Sequence, residues 1–468
     1  MSLQRLRPPS WRANRRHLAE KEYAAFDGVL QIVGAKDEKT APHSTLLSAA
    51  RKKRGGESPP QATIAGGCLI VRLQWKENIS VFEQLEELRK ALLPVADCSK
   101  LAADIRLSSA ARLTVYTALV AAARLPGDSR PVCRWSFFGC DAKTANNASI
   151  TAEANTLSRT LCRLPPNVLT VPAFAKIAAA EARKHKVKSE IINAAKLKKM
   201  GAGAILAVGR ASETPPCIVR LRYNGGGKKR VALIGKGVCY DTGGVNVKPA
   251  RYMRGMKKDM AGAAVVLSAV LGAAKLNLPV NIDAYLALAD NAVGANAYRP
   301  DEEIRSLSGK TIEVVHSDAE GRMILADTLT LMSRQKPSVD VALSFATLTG
   351  TMHVALGERM SGVFATNEVW QQKAFVASDK SGERLCSFPL AEDYRAALKS
   401  DCADIKQCAE EGEADHILAA LFLREFMDKQ TPWLHLDLSA VSCKGGLGAA
   451  PGPETGFGAA WTLAFLES

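Results

Sequence analysis

No window of this chain approaches the roughly 18 uninterrupted apolar residues that a membrane-spanning helix needs. The start has no apolar h-region, so a secretory leader is not expected. Cysteine pairs of C-x-x-C spacing are absent, and an odd total of 11 cysteines argues against a complete disulfide framework. Many of them sit in apolar contexts, where a free thiol behaves as a small buried hydrophobe, and a reducing cytoplasm is the expected compartment. There is no helix-turn-helix signature, zinc-finger spacing or aromatic RNA-binding motif. Internal repeats and long low-complexity tracts are missing as well. Membrane proteins, disulfide-stapled scaffolds and repeat arrays are thereby set aside.

What remains is ordinary in bulk and unusual in detail. Hydrophobic content of 47% beside 23% charged residues is the balance of a water-soluble globular chain, and 468 residues are enough for two domains or more. Arg5, Arg7, Arg12, Arg15 and Arg16 all precede the first acid, Glu20. Serine is sparse there, so a solvated basic start is preferred to an organelle transit segment. The formal charge of +15 is spread along the chain, with one compact cluster, Arg51-Lys52-Lys53-Arg54, in the breaker-rich context "RKKRGGESPPQ". That cluster reads first as an exposed loop. It leaves sequence-independent nucleic-acid binding open as a secondary property.

Up to about residue 155, short apolar runs ("CLIVRLQW", "RWSFFGC") alternate with helical patterns ("VFEQLEELRKALLPV", "SSAARLTVYTALVAAARL"). This predicts a smaller N-terminal α/β domain over 1–155, with its first twenty or so residues loose. The polar stretch "DAKTANNASI" reads as the approach to a boundary. From 156 to 468 the strands "VALIG", "PVNIDAYLALA", "KTIEVVHS", "VDVALSFATL" and "WLHLDLS" alternate with helices near 258–275, 320–334 and 414–428, and a last helix closes the chain. Continuous apolar strands between helices predict a larger α/β domain whose central sheet is mostly parallel and covered by helices. Ligands gather at the carboxyl ends of such strands.

Three strand ends carry unusual cargo. In "ALIGKGVCYDTGGVNVKP", Lys236, Asp241 and Lys248 cluster among Gly235, Gly237, Gly243 and Gly244, glycines that suit a chain turning sharply. In "MRGMKKDMAGAAVVLSAV", Asp259 heads a helix of small apolar residues. In "VVHSDAEGRMILADTL", Asp318, Glu320 and Arg322 crowd the passage from strand to helix. Each alone has a plain explanation: Asp259 at a helix N-terminus gains about 0.3–1 kcal/mol, and Asp318 as an N-cap gains about 1 kcal/mol. Four carboxylates brought to one crevice repel each other unless neutralised, and a pair of divalent cations does this best. Such a pair activates water and stabilises the oxyanion of a carbonyl addition. A lysine ligand among them must give up its proton, which burial beside cations favours. His316 adjoins the cluster but is expected to face away from it.

These motifs resemble the cytosol-type leucyl aminopeptidases, two-metal exopeptidases built around an N-T-D-A-E-G-R motif that stands here as "HSDAEGR". The likeness runs in order through "LPPNVLT", "GKGVCYDTGG", "KPARYM", "MKKDMAGAA", "RPDE", "LADTL", "ATLTG" and "ETGFGAA". It implies that Lys236, Asp241, Asp259 and Glu320 hold one metal, and that Asp241, Asp318 and Glu320 hold a more exchangeable one. The ions implied are manganese or zinc, with magnesium and cobalt as alternatives. The resemblance further implies that Lys248 polarises the scissile carbonyl, that Arg322 holds a bicarbonate ion carrying protons, and that Met256, Thr347 and Gly350 line an apolar first side-chain pocket. Implied too are peptide substrates with a free N-terminus, a homohexamer and no membrane partner. A hexamer with a nucleic-acid or structural duty and little peptidase activity is the alternative.

Two departures from the family pattern stand out. His316 and Ser317 replace the usual Asn-Thr, which bears on the hydrogen bonds behind the ligands. "CAEEGEADHILAALFL" lacks the family's small residues before its helix, and Glu413, Asp415 and His416 there read as a solvated face that can alternatively narrow the pocket mouth.

Overall fold

Strand-forming runs rich in Val, Ile, Leu and Phe build two separate sheets, described for residues 9–34, 41–43 and 61–468 of a computed structural model. The basic cluster Arg51–Arg54 lies outside the described residues. The chain divides into two units, Met1–Thr156 with Asp379–Glu383 and Cys443–Thr455, and Leu157–Ser378 with Arg384–Ser442 and Gly456–Ser468. Two short later segments thus belong with the N-terminal unit, which a linear reading has no means to assign.

The first unit holds a six-stranded sheet in the order Ser10–Asn14, Arg134–Phe138, Lys100–Ile105, Gly28–Val33, Cys68–Gln74, Gln61–Ala65. All its neighbours run parallel except the last hairpin. From Ser10 onward the basic start is not loose: Ser10–Asn14 is a strand of this sheet, and Arg12 Nε donates to Ser136 Oγ at 3.0 Å. The helix Val81–Leu92 opens with a reciprocal cap, Ser80 Oγ accepting from Glu83 N–H and Glu83 Oε2 from Ser80 N–H. The polar run "DAKTANNASI" is a helix start rather than a break. Asp141 caps it by accepting from Thr144 N–H at 3.0 Å, and the helix continues over Ala142–Arg163.

The second unit is built on an eight-stranded sheet in the order Leu385–Ser387, Ser361–Ala365, Trp433–Asp437, Val341–Ala346, Arg230–Asp241, Asn281–Asn291, Cys217–Asn224, Lys188–Asn193. The four central strands, Trp433–Asp437 through Asn281–Asn291, are mutually parallel, and antiparallel strands flank them. Helices cover both faces. Ala261–Lys275 is apolar all round, as a helix packed on every side must be, and each residue from Ala261 to Ala273 is buried. Glu320–Ser333 packs on the opposite face with Gly203–Gly209 and Asp415–Arg424, around a core that includes Ile234, Tyr285, Met323, Leu325 and Phe422.

The run "KTIEVVHS" departs from its expected place. Only Thr311–Glu313 is a strand, and it belongs to a small separate sheet with Glu303–Arg305 and Ile405–Lys406. Beyond it the backbone N–H groups of Val315 and His316 are claimed by the side chain of Gln407, at 3.2 and 3.1 Å, so no ladder continues. All 11 cysteines are free thiols. No helix among the described residues is long and apolar enough to cross a membrane.

Candidate metal centre

The carboxyl ends of the central parallel strands deliver most of the site. Asp241 ends Arg230–Asp241, Asn291 ends Asn281–Asn291, and Thr347 follows Val341–Ala346 directly. The heads of two helices supply the rest, Asp259 just before Ala261–Lys275 and Glu320 as the first residue of Glu320–Ser333. Asp318 is not the cap of that helix: Ala319 occupies the N-cap with no side-chain bond. One oxygen from each of Asp241, Asp259 and Glu320 falls within 4.8 Å of the others, and all three residues are buried.

Strand alternation explains the position of Lys236. It lies inside Arg230–Asp241 rather than in a turn, as does Gly235. Gly235 faces the helix Ala261–Lys275 so closely that a Cβ would come 2.6 Å from Ala263 Cα. Its neighbour Lys236 points to the other face, where the side chain runs past Gly321. The sharp turn belongs to Gly243 and Gly244 alone, with φ of +88° and +66°.

Two ammonium groups thread the carboxylates. Lys236 Nζ lies 2.9 Å from Asp259 Oδ1, 2.7 Å from Glu320 Oε1 and 2.9 Å from the Thr347 carbonyl. Lys248 Nζ lies 2.9 Å from Asp241 Oδ2 and 2.5 Å from Asp318 Oδ1. Burial acts to lower the pKa of Lys236, but the attraction of Asp259, Glu320 and Asp241 outweighs it, and the ammonium is stabilised. Burial also pushes the Asp259 and Glu320 carboxyls up, with mutual repulsion adding to it. Asp318 is pushed up to about 7 by burial and by the charges of Asp241 and Glu320.

These residues fit divalent cations. Asp259 Oδ2 is buried with no hydrogen-bond partner among the described residues. Glu320 Oε1 and Asp318 Oδ1 meet an ammonium charge but no hydrogen bond of proper direction. Oxygens left this way inside a protein cost free energy that a hard cation returns.

Other groups position the carboxylates; sequence reading pointed to Ser317 among them and missed Asn291, Tyr298 and Gln407. Asn291 Nδ2 donates to Asp241 Oδ1 at 2.9 Å and to the Ser317 carbonyl at 3.0 Å. Tyr298 donates to that same carbonyl at 2.6 Å. Ser317 ties the glycine turn to the "HSDAEGR" segment, donating from Oγ to Gly243 O at 2.6 Å and accepting from Asn246 N–H at 2.9 Å. Gln407 binds Ala319 O at 3.0 Å besides the two N–H groups already described. Nothing in a single sequence marks such distant polar residues. His316 is exposed and outside the carboxylate cluster, its Nδ1 accepting from Asp318 N–H at 3.2 Å. Thr347 Oγ1 donates to Asp259 Oδ1 at 2.7 Å. Met256 is half-buried three residues before Asp259, and Gly350 is exposed, with open space where a Cβ would stand.

Arg322 and Asp415 require a correction. Arg322 is buried, and its Nη2 donates to both oxygens of Asp415, each at 2.7 Å, while Nη1 donates to Gln407 O at 3.2 Å. Asp415 is therefore not on a solvated face. His416 turns inward too, its ring 4.9 Å from that of Phe388 and its Nδ1 3.1 Å from Thr351 Oγ1. Glu413 alone of the three is exposed. Asp415 thus matches the charge of Arg322 and takes up Nη2 of the guanidinium to which the resemblance assigns a bicarbonate ion.

Residues 156–463 match the family described as "Cytosol aminopeptidase family, catalytic domain". A "Probable cytosol aminopeptidase" of Streptomyces coelicolor is 41% identical over 312 residues, covering 66% of this chain and 60% of that protein. One from Chlorobaculum tepidum is 39% identical over 329 residues, covering 69% and 64%. The match thus spans less than two thirds of the length of these relatives. Among solved structures, the bottromycin maturation enzyme BotP in complex with Mn is 29% identical with a TM-score of 0.85, covering 94% of this chain and 99% of that one. Leucyl aminopeptidase from Leishmania major, in complex with actinonin, shares the fold at 24% identity and a TM-score of 0.84, covering 99% and 95%. On the strength of the family match over residues 156–463, the chain belongs to the cytosol aminopeptidase family.

Proposed function

We propose that this protein is a metal-dependent aminopeptidase that removes N-terminal residues, apolar and leucine-like, from peptides with a free N-terminus. The observation that carries the reading is the buried meeting of Asp241, Asp259 and Glu320 within 4.8 Å, threaded by Lys236 and bordered by Lys248. Lys236, Asp241, Asp259 and Glu320 are the proposed holders of one divalent ion, and Asp241, Asp318 and Glu320 of a second, with manganese or zinc the expected species. Such ions supply Lewis acidity and a nucleophilic water at neutral pH.

The chain's own groups do the remaining work. Lys248, next to Asp241 and Asp318, offers its ammonium to the oxygen of the scissile carbonyl and stabilises the charge that develops there. Asp259 Oδ2, buried without a hydrogen-bond partner, is available to the free amino group of the substrate, which favours an exopeptidase. Thr347, Met256 and Gly350 line the first side-chain pocket, where discrimination between apolar residues is worth about 1–3 kcal/mol per methylene. The family resemblance extends the proposal to a cytoplasmic homohexamer.

The test is hydrolysis of leucine p-nitroanilide by metal-stripped protein, before and after adding manganese or zinc, with the N-acetylated substrate alongside. Metal-dependent release from the free-amine substrate alone is expected. Silence over a panel of aminoacyl groups, with metal bound, would overturn the reading.

A further inference from the structure

Arg322 and Asp415 differ in exposure in an informative way. The side chain of Arg322 is 2% exposed, while that of Asp415 keeps 23%. The guanidinium is sealed in, and the carboxylate that neutralises it retains an open edge. Arg322 stands two places after Glu320 on the same helix, and its Nη2 donates to both oxygens of Asp415 at 2.7 Å. Gln407 ties this pair to the segment that carries Asp318 and Glu320: its carbonyl accepts from Arg322 Nη1 at 3.2 Å and its Nε2 donates to Ala319 O at 3.0 Å.

The backbone holds Asp415 in that position from both sides. Ala414, just before it, takes a left-handed conformation with φ of +50°, which is strained for a residue with a Cβ. Just after it, His416 N–H donates to Thr351 Oγ1 at 3.0 Å. Strain kept at one residue to aim the next is characteristic of working sites.

We propose that Asp415 is the resident anion of Arg322 and carries the proton of the peptidase reaction, so that this enzyme needs no bicarbonate. The proposal rests on the aminopeptidase reading. As the water oxygen adds to the scissile carbonyl carbon, its O–H bond breaks and the proton passes to an Asp415 carboxylate oxygen. As the C–N bond then breaks, the same proton passes from Asp415 to the leaving nitrogen, and the amine departs neutral. The carboxylate is regenerated and no other reactant is consumed. Arg322 is the positioning residue, fixing both oxygens of Asp415.

The experiment compares wild type, Asp415→Gly and Asp415→Asn in buffers freed of carbon dioxide, with and without added bicarbonate or formate. Wild-type activity is expected to be indifferent to either anion. Asp415→Gly is expected to lose about 10²–10⁴-fold, the usual worth of a proton-transfer group, and to regain much of it when a small carboxylate enters the vacated place. Asp415→Asn, which fills the place with a group that cannot take the proton, should stay low with either anion. It also serves as the second variant if the glycine fails to fold. A merely structural ion pair would not give this rescue. Carbon-13 NMR of labelled bicarbonate, run on metal-free protein, should show binding to Asp415→Gly and none to wild type.

Bicarbonate activation of wild type, or its binding to wild type by NMR, would overturn the proposal, as would a folded Asp415→Gly that no anion rescues. If wild type is silent with every metal, the aminopeptidase reading fails instead, and the NMR arm still decides whether Asp415 excludes bicarbonate from Arg322.

Discussion

Gly321 leaves the space through which Lys236 reaches the carboxylates: a Cβ on Gly321 would lie 2.7 Å from both Cε and Nζ of Lys236. The glycine of "HSDAEGR" is therefore not there to free the backbone, which is helical at that point. It is there because the Lys236 side chain fills the place that a Cβ would take.

Gly321→Ala should displace the Lys236 amine and with it the geometry of Asp259 and Glu320. A displacement of about 1 Å at a reacting centre costs on the order of 10²-fold. We expect kcat/KM on leucine p-nitroanilide to fall by that order and manganese affinity, read by titration calorimetry, to weaken. Unchanged binding and rate in a folded variant would show that the close approach is tolerated.

His435 predicts an acid sensitivity. It is buried between Phe364 and Trp433, with Nδ1 2.9 Å from Ser344 Oγ and Nε2 unpartnered among the described residues. Burial holds its pKa down at about 3, far below the ordinary value of 6.5. The unfolded chain then binds a proton between those values while the folded one does not, so stability is fully present above pH 6.5 and is lost as pH falls toward 3. The contribution is on the order of 5 kcal/mol at the acid end. In denaturant titrations of metal-free protein, His435→Phe should lose less stability than wild type between pH 6.5 and the acid transition. Parallel pH profiles for the two proteins would refute this assignment.

Asp327 is a structural carboxylate inside the "LADTL" motif. It accepts from Ile205 N–H at 2.9 Å and from Leu307 N–H at 2.7 Å, in full burial. Asp327→Ala strands both donors, at about 1–3 kcal/mol each. The expected result is a lowered unfolding midpoint with kcat per folded molecule unchanged. A variant as stable as wild type would mean that the two N–H groups find other acceptors.

Much of the site's chemistry was legible because the charged residues stand at transitions between elements. Apolar periodicity marks where strands such as Arg230–Asp241 end and helices such as Ala261–Lys275 begin, and carboxylates there are conspicuous. Periodicity could not tell the glycines apart. Gly243 is needed for a positive φ and Gly235 for a close approach, and both look the same in a Gly-rich stretch. It also misread "KTIEVVHS", because a side chain 92 residues away, Gln407, takes the backbone N–H that a strand would have used.

By itself, then, the sequence determined the α/β alternation, the parallel core and the set of carboxylates and lysines destined for one crevice. Local periodicity and residue type encode these. Only the tertiary structure decided which charges pair. Arg322 and Asp415 are 93 residues apart, and a buried guanidinium takes whichever carboxylate the fold brings within reach. Pairing of that kind depends on distances between elements, which no local pattern contains.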